Sequence, residues 1–186
     1  TNSSISAIIY KEGIFFAVPQ GGFSMYNIGD SVVYPMHGAG IIEGIEQKEI
    51  LGKQQSYYIM RMPIGDMKVM IPTCNADEIG IRDVIDKDEA DKVIASFRSC
   101  STEMDSNWNK RYRENVARIK SGNIYEVVRV VKNLMFREKS RGLSTGERKM
   151  LNGAKQILVS ELVVAKAIKQ SEVENIMNEI VNAELT

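Results

Sequence analysis

The sequence predicts an α+β protein: a small SH3- or Tudor-like antiparallel β-barrel followed by an all-helical domain of about five helices. Three observations predict it. Short runs rich in Val, Ile and Tyr alternate with glycine-bearing breaks over residues 25–82. Apolar residues at three- and four-residue steps, bracketed by capping residues, fill residues 83–186. Charge divides along the same line. Residues 1–105 hold nine basic and fifteen acidic side chains, residues 106–169 hold fifteen and five, and residues 171–186 add four acids and no base. The chain as a whole is neutral, with 24 of each sign. The segregation is therefore the signal, and it predicts a polyanion-binding surface on the basic part.

The strands are predicted at Ser31–Tyr34, Gly40–Ile50, Gln54–Met62 and Met67–Ile71. The breaks between them are Pro35 to Gly38, Leu51-Gly52-Lys53 and Pro63-Ile64-Gly65-Asp66. Glycine in each break supplies the positive φ that hairpin turns need. Pro72 and Gly80 close the module. Residues 1–24 read differently: their only charges are Lys11 and Glu12, and they precede a Met25 that reads as a natural start. They lack the basic n-region and long apolar core of a secretory signal. A leader or appended extension is the expectation, with a short hairpin that covers a sheet edge as one form it can take.

Helix starts are marked by caps. Asp86 caps a helix to about Arg98, and the polar stretch Cys100–Asn107 reads as a loop. A second helix runs from Trp108 to about Lys120-Ser121-Gly122. Asn123 caps a third, to about Lys139, with Gly142 as its stop. Ser144-Thr145-Gly146-Glu147 has capping-box spacing and opens a fourth helix to about Lys169; Ser171-Glu172-Val173-Glu174 repeats the spacing and opens the last. The fourth helix carries an apolar stripe at Leu151, Ala154, Leu158, Leu162 and Ala165, with Arg148 and Lys155 on a face beside it.

Several function classes drop out. Two cysteines, Cys74 and Cys100, and one histidine, His37, cannot build a disulfide scaffold or a four-ligand zinc site of cysteines and histidines. There is no glycine-rich phosphate loop, and Gly38-Ala39-Gly40 is too short to be one. His37 reads as a turn residue, and no motif flanks either cysteine. No apolar run approaches the roughly 18 residues that span a bilayer. The reading is a non-enzyme without a cofactor, a metal, a small-molecule substrate or a membrane partner.

The informative stretch is Ser106-Asn107-Trp108-Asn109-Lys110-Arg111-Tyr112-Arg113, which holds the only tryptophan with three cations close behind. Cations can hold phosphates while a flat apolar ring stacks on a base or wedges between steps. An alternative stands beside this. Trp108, Tyr112, Val116 and Ile119 share one helical stripe, which would make Trp108 the top of a core. Arg148-Lys149 forms a second basic group, in the first turn of the fourth helix, where cations oppose the macrodipole. That local cost, with the helix amides nearby, suggests a phosphate-facing use. Arg137, Lys139 and Arg141 form a third group, equally readable as solvated capping charge.

Taken in order, these blocks resemble the CarD family of bacterial RNA polymerase-binding transcription regulators. The resemblance runs from Met25 to about Val181. Its front part rests on Gly29-Asp30-Ser31-Val32-Val33-Tyr34-Pro35 with His37-Gly38. Its rear part rests on Asn107-Trp108-Asn109-Lys110-Arg111-Tyr112, on Arg141-Gly142-Leu143-Ser144 with Glu147 and Met150-Leu151, and on Ala154-Lys155-Gln156-Ile157-Leu158-Val159-Ser160-Glu161-Leu162. A related module occurs within transcription-repair coupling factors, embedded in a much longer helicase.

The resemblance implies a polymerase-interacting domain at 25–82 and a helical DNA-binding domain at 83–186. It implies docking on the lobe of the RNA polymerase β subunit, largely by extension of a sheet edge. It further implies that Trp108 wedges into the promoter minor groove at the upstream edge of the bubble and prolongs the open complex. Lys110, Arg111, Arg113, Arg148 and Lys149 would then hold backbone phosphates. Lys48, Ile50, Lys68 and Met70 are the expected polymerase contacts. Met70 departs from the family, which carries a basic residue there; Lys68 lies two residues away, on the same face by strand alternation. The expected setting is the cytoplasm, on the nucleoid through polymerase. A standalone nucleic-acid-binding module and an adaptor whose basic face meets an acidic protein are the other readings of the charge pattern.

Overall fold

The computed structural model describes residues 26–50, 52–102 and 105–185. The expectations for residues 1–24 fall outside them. As predicted, the chain is α+β, an antiparallel five-stranded sheet followed by five helices. The strands are β1 (Ser31–Tyr34), β2 (Gly38–Ile50), β3 (Lys53–Arg61), β4 (Lys68–Pro72) and β5 (Arg82–Asp83), in the order β4-β3-β2-β1-β5. After a 3-10 turn at Thr73–Asn75 and the four-residue α1 (Ala76–Ile79), the long helices follow. They are α2 (Lys87–Ser99), α3 (Trp108–Lys120), α4 (Ile124–Ser140), α5 (Thr145–Lys166) and α6 (Gln170–Ala183).

Alternation assigns the sheet's two faces. Ile42, Tyr58, Met60 and Ile71 point inward onto Val32, Tyr26, Ala76 and Ile81 and form one core. A register shift between Ile42 and Gly44 puts a bulge at Glu43, which bends the long β2. A second core fills the helical part, where Val93, Phe97, Val128, Val131, Leu134, Leu158 and Leu162 meet Val173 and Met177. No helix among the described residues is long and apolar enough to cross a membrane.

Three of the predicted caps form. Asp86 accepts from the Glu89 N–H at 2.7 Å, Asn123 from the Tyr125 N–H at 2.9 Å, and Ser144 with Glu147 makes a reciprocal box. The last helix starts earlier than its Ser171 signal. The Glu172 carboxylate accepts the Lys169 N–H at 2.8 Å, so the helix begins at Gln170. Two residues of sequence at Arg82–Asp83, too short to read as a strand, pair with Val33 and Val32 of β1.

This pairing matters because β5 carries Arg82 into the helical part. Arg82 forks onto Glu161 of α5 with contacts of 2.6 and 2.9 Å, and Glu161 is 0% exposed. Close by, the Ala39 N–H donates to Ser160 Oγ at 2.8 Å. A Cβ on Gly38, at φ 113°, would run into that same oxygen. Backbone approaches this close need glycine. They fasten the β1–β2 turn to the middle of α5.

Candidate nucleic-acid interface

Asn107 starts α3 by accepting the Lys110 N–H at 3.1 Å, which puts Trp108 at the first helical position. The indole is 44% exposed. It stacks on Tyr112, one turn on, with ring centroids 5.3 Å apart and planes 24° apart. Its Nε1–H donates to Ser144 Oγ at 3.2 Å. The ring is thus tied to the cap of α5 and still presents surface to solvent. Of the two readings of the Trp108 stripe, the core reading is overturned. The residues α3 buries are Arg111, Asn115 and Ile119, a stripe rotated by one position from the aromatic one.

Arg111 is therefore not a phosphate contact, and the expectation for it is corrected. It is 3% exposed. Its Nε and Nη2 donate to Glu147 Oε1 at 3.0 and 2.8 Å, and its Nη1 donates to the carbonyls of Asp105 and Ser106 at 2.7 and 3.3 Å. The physical reason is pairing: a guanidinium can be buried when its donors are satisfied and a carboxylate lies opposite. Glu147 Oε2 in turn accepts from the Ser144 N–H at 3.1 Å and the Ser144 hydroxyl at 2.9 Å. Burial alone would push the Glu147 carboxyl up; Arg111 and the Ser144 donors outweigh it and hold it below the usual carboxylate range. One chain of polar contacts runs Asp105–Arg111–Glu147–Ser144–Trp108 and locks the two helix starts together. Ser144 and Glu147 were read from the sequence as a cap only. The signal for more was that a capping box and the tryptophan lie in the same basic region.

The other cations remain on the surface. Lys110 is engaged by Asp105 at 2.6 Å and by Glu114 at 3.9 Å. The contact with Asp105 raises the Lys110 pKa and lowers that of Asp105. Arg113 donates to its own helix, at the Asn109 carbonyl, at 3.3 Å. Arg148 approaches Glu138 at 3.6 Å, and Lys149 has no ion-pair partner among the described residues.

On the sheet, the register puts Met70 opposite Ile59 and Lys68 opposite Arg61, so Lys68 and Met70 do share a face. Met70 is exposed. Lys68 is held by Glu43 at 2.9 Å, the bulge residue that also holds Arg61 at 2.9 Å. Glu43 is lowered by these two cations, Lys68 first. Lys48 contacts Glu46 at 3.1 Å, and Ile50 ends β2 opposite Lys53. Among the described residues, β4 is hydrogen-bonded on one side only, to β3.

A family model described as the CarD-like/TRCF RID domain matches residues 26–85, and one described as the CarD C-terminal domain matches residues 92–178. The chain belongs to the CarD-like family of transcription factors. It is 42% identical over 151 residues to the putative transcription factor YdeB of Bacillus subtilis (strain 168), a match that covers 81% of this chain and 99% of that protein. For a CarD-like chain the two matched regions divide as the two cores do, one within Tyr26–Ile81 and one within Ala90–Val181.

Proposed function

We propose that this CarD-like protein binds the β-subunit lobe of RNA polymerase through its sheet and holds promoter DNA at the upstream edge of the bubble. Trp108 acts as a minor-groove wedge, and the product is a longer-lived open complex. The observation that carries the reading is the exposed indole on a buried polar support, with surface cations on the same two helices, α3 and α5. A wedge has to be held from behind and bare in front. Unstacking a base step costs a few kcal/mol, and an inserted ring offsets it only in the opened state. A ligand that prefers one state shifts the equilibrium by its differential affinity.

Lys110, Arg113, Arg148 and Lys149 supply the phosphate contacts, which set register and carry no base sequence. Promoter choice then comes from polymerase. The edge of β4, unpaired among the described residues, suits docking by strand addition, with Met70 and Lys68 on its exposed face and Lys48 and Ile50 toward the far end of β2.

The test is Trp108→Ala with the cognate polymerase on a purified promoter. A shortened open-complex lifetime with unchanged circular dichroism is expected. An unchanged lifetime in a folded variant would falsify the wedge. Capture of the isolated β lobe by the full chain tests the other half; failure to bind leaves a standalone nucleic-acid-binding module.

A further inference from the structure

The wedge uses one side of the aromatic pair and leaves a groove beside it empty of any assigned role. The groove, of about 300 Å³, lies between α3 and α5, and Met36 of the β1–β2 turn also lines it. Tyr112, Val116 and Ile119 form one wall. Its floor includes Gly146 and Gly153. A Cβ on Gly146 would touch Trp108 and Tyr112 at 3.8 Å, so the rings lie directly on the first turn of α5. A Cβ on Gly153 would meet nothing within 4 Å. Glycine inside a 22-residue helix is unfavourable, and here no packed neighbour requires it. At the groove's lip stands Lys149, exposed and without an ion-pair partner among the described residues.

An apolar lining that includes one aromatic ring, Tyr112, with an exposed cation beside it fits a planar ring tethered to an anion. We infer that this groove receives an unpaired nucleotide of the melted strand, its base against Tyr112 and Met36 and its phosphate at Lys149. The inference rests on the wedge reading and extends it from prying the step apart to holding what is released. Charge decides for a nucleotide over an apolar protein segment, because the lip belongs to the basic part of the chain. With no polar group required of the base, the site is tolerant of sequence, as stacking sites are.

The full chain is titrated with blunt duplex, with a fork carrying 2-aminopurine at its first unpaired position, and with the same fork made abasic there. The expected result is binding of the intact fork roughly tenfold tighter than the abasic one, with a change in 2-aminopurine emission. Gly153→Leu, which fills open space and favours the helix, should abolish that preference and leave abasic-fork binding and circular dichroism intact. Should Gly153→Leu misfold, Gly153→Met serves instead, and the preference should fall there too. An equal affinity for intact and abasic forks overturns the groove and leaves the wedge standing. So does a Gly153→Leu chain that keeps the preference, or one that loses polymerase binding in its place. Failure of the wedge itself is read separately, from the Trp108→Ala lifetime.

Discussion

Glu147 and Glu161 lie on the same helix, four turns apart, and each is buried against an arginine from another element. Glu147 holds Arg111 of α3 at the start of α5, and Glu161 holds Arg82 of β5 in its C-terminal third. The first pair is internal to the helical part and supports the indole. The second joins the sheet to the helices. They also differ in closure. Arg111 is buried along with its partner, whereas Arg82 keeps about a third of its side chain in solvent. A helix of 22 residues is about 33 Å long, so α5 serves as a rod carrying the Trp108 platform at one end and the sheet along its length. Under the proposed function, force on the wedge has to be resisted by whatever grips the polymerase, and these two pairs would provide that path.

The largest effect expected is at the closed pair. Arg111→Ala takes the donors from the Asp105 and Ser106 carbonyls and leaves Glu147 only the longer Arg137 contact, at 3.5 Å, as its cation; breaking a buried pair in this way is expected to cost about 3 kcal/mol. Urea denaturation should show that loss, and the Trp108 emission should move toward that of a solvated indole. A loss near zero would mean that water reaches Glu147 easily and that the support is soft. The half-open pair should respond less. Arg82→Ala is expected to cost about 2 kcal/mol, the range of a hydrogen bond to a charged group, because water that already reaches the Arg82 side chain can enter the gap and solvate Glu161. Scattering from the variant should show a broader distribution of sheet-to-helix distances. An Arg82→Ala chain that is compact and prolongs open complexes normally would break the idea that α5 transmits load.

Acid separates the pairs as well. Glu147 titrates below its usual value in the folded state, with burial opposed and outweighed by Arg111 and Ser144. A carboxylate with a depressed folded pKa contributes stability that is complete above its unfolded value, near 4.5, and is lost as pH falls through the folded one. Wild-type stability should therefore fall with acid below about pH 4.5. Glu147→Gln should be less stable at neutral pH and should show a shallower fall. Equal slopes in the two chains would assign the acid sensitivity to other carboxylates.

These pairs also explain what the sequence could and could not tell. Strands β1 to β4, the caps Asp86, Asn123 and Ser144, and the apolar stripe of α5 were legible because local spacing and side-chain chemistry decide them. The rotation of α3 was not. A stripe of Trp108, Tyr112, Val116 and Ile119 is more apolar than one of Arg111, Asn115 and Ile119, and hydrophobicity alone chooses the wrong face. The partner that lets Arg111 enter the core, Glu147, lies 36 residues away, and no local rule sees it. Asn115 shows that the polar stripe is tolerated rather than ideal, since its Nδ2 is buried without a partner. β5 escaped notice for a related reason: two residues carry no period, and only their register with β1 makes them a strand. On the candidate interface, residue type was legible and orientation was not, so of the five expected phosphate contacts four remain in the proposal.

The smallest effects test those four. Each phosphate that a cation neutralises contributes about 0.9 to the slope of log affinity against log salt. Arg113→Gln and Lys149→Gln should each flatten the slope by about that much on duplex DNA, with urea midpoints unmoved, because neither side chain supports the fold. Lys110→Gln should do less. Asp105 holds the Lys110 ammonium at 2.6 Å in the free protein, so engaging a phosphate there means giving up a contact already made, and the net counterion release is smaller. Arg148, with Glu138 at 3.6 Å, should fall between. That ordering depends on geometry and not on charge, since all four residues carry the same formal +1. If the slope changes instead prove equal, the surface acts as a smeared positive field, and the register attributed to individual cations is lost with it.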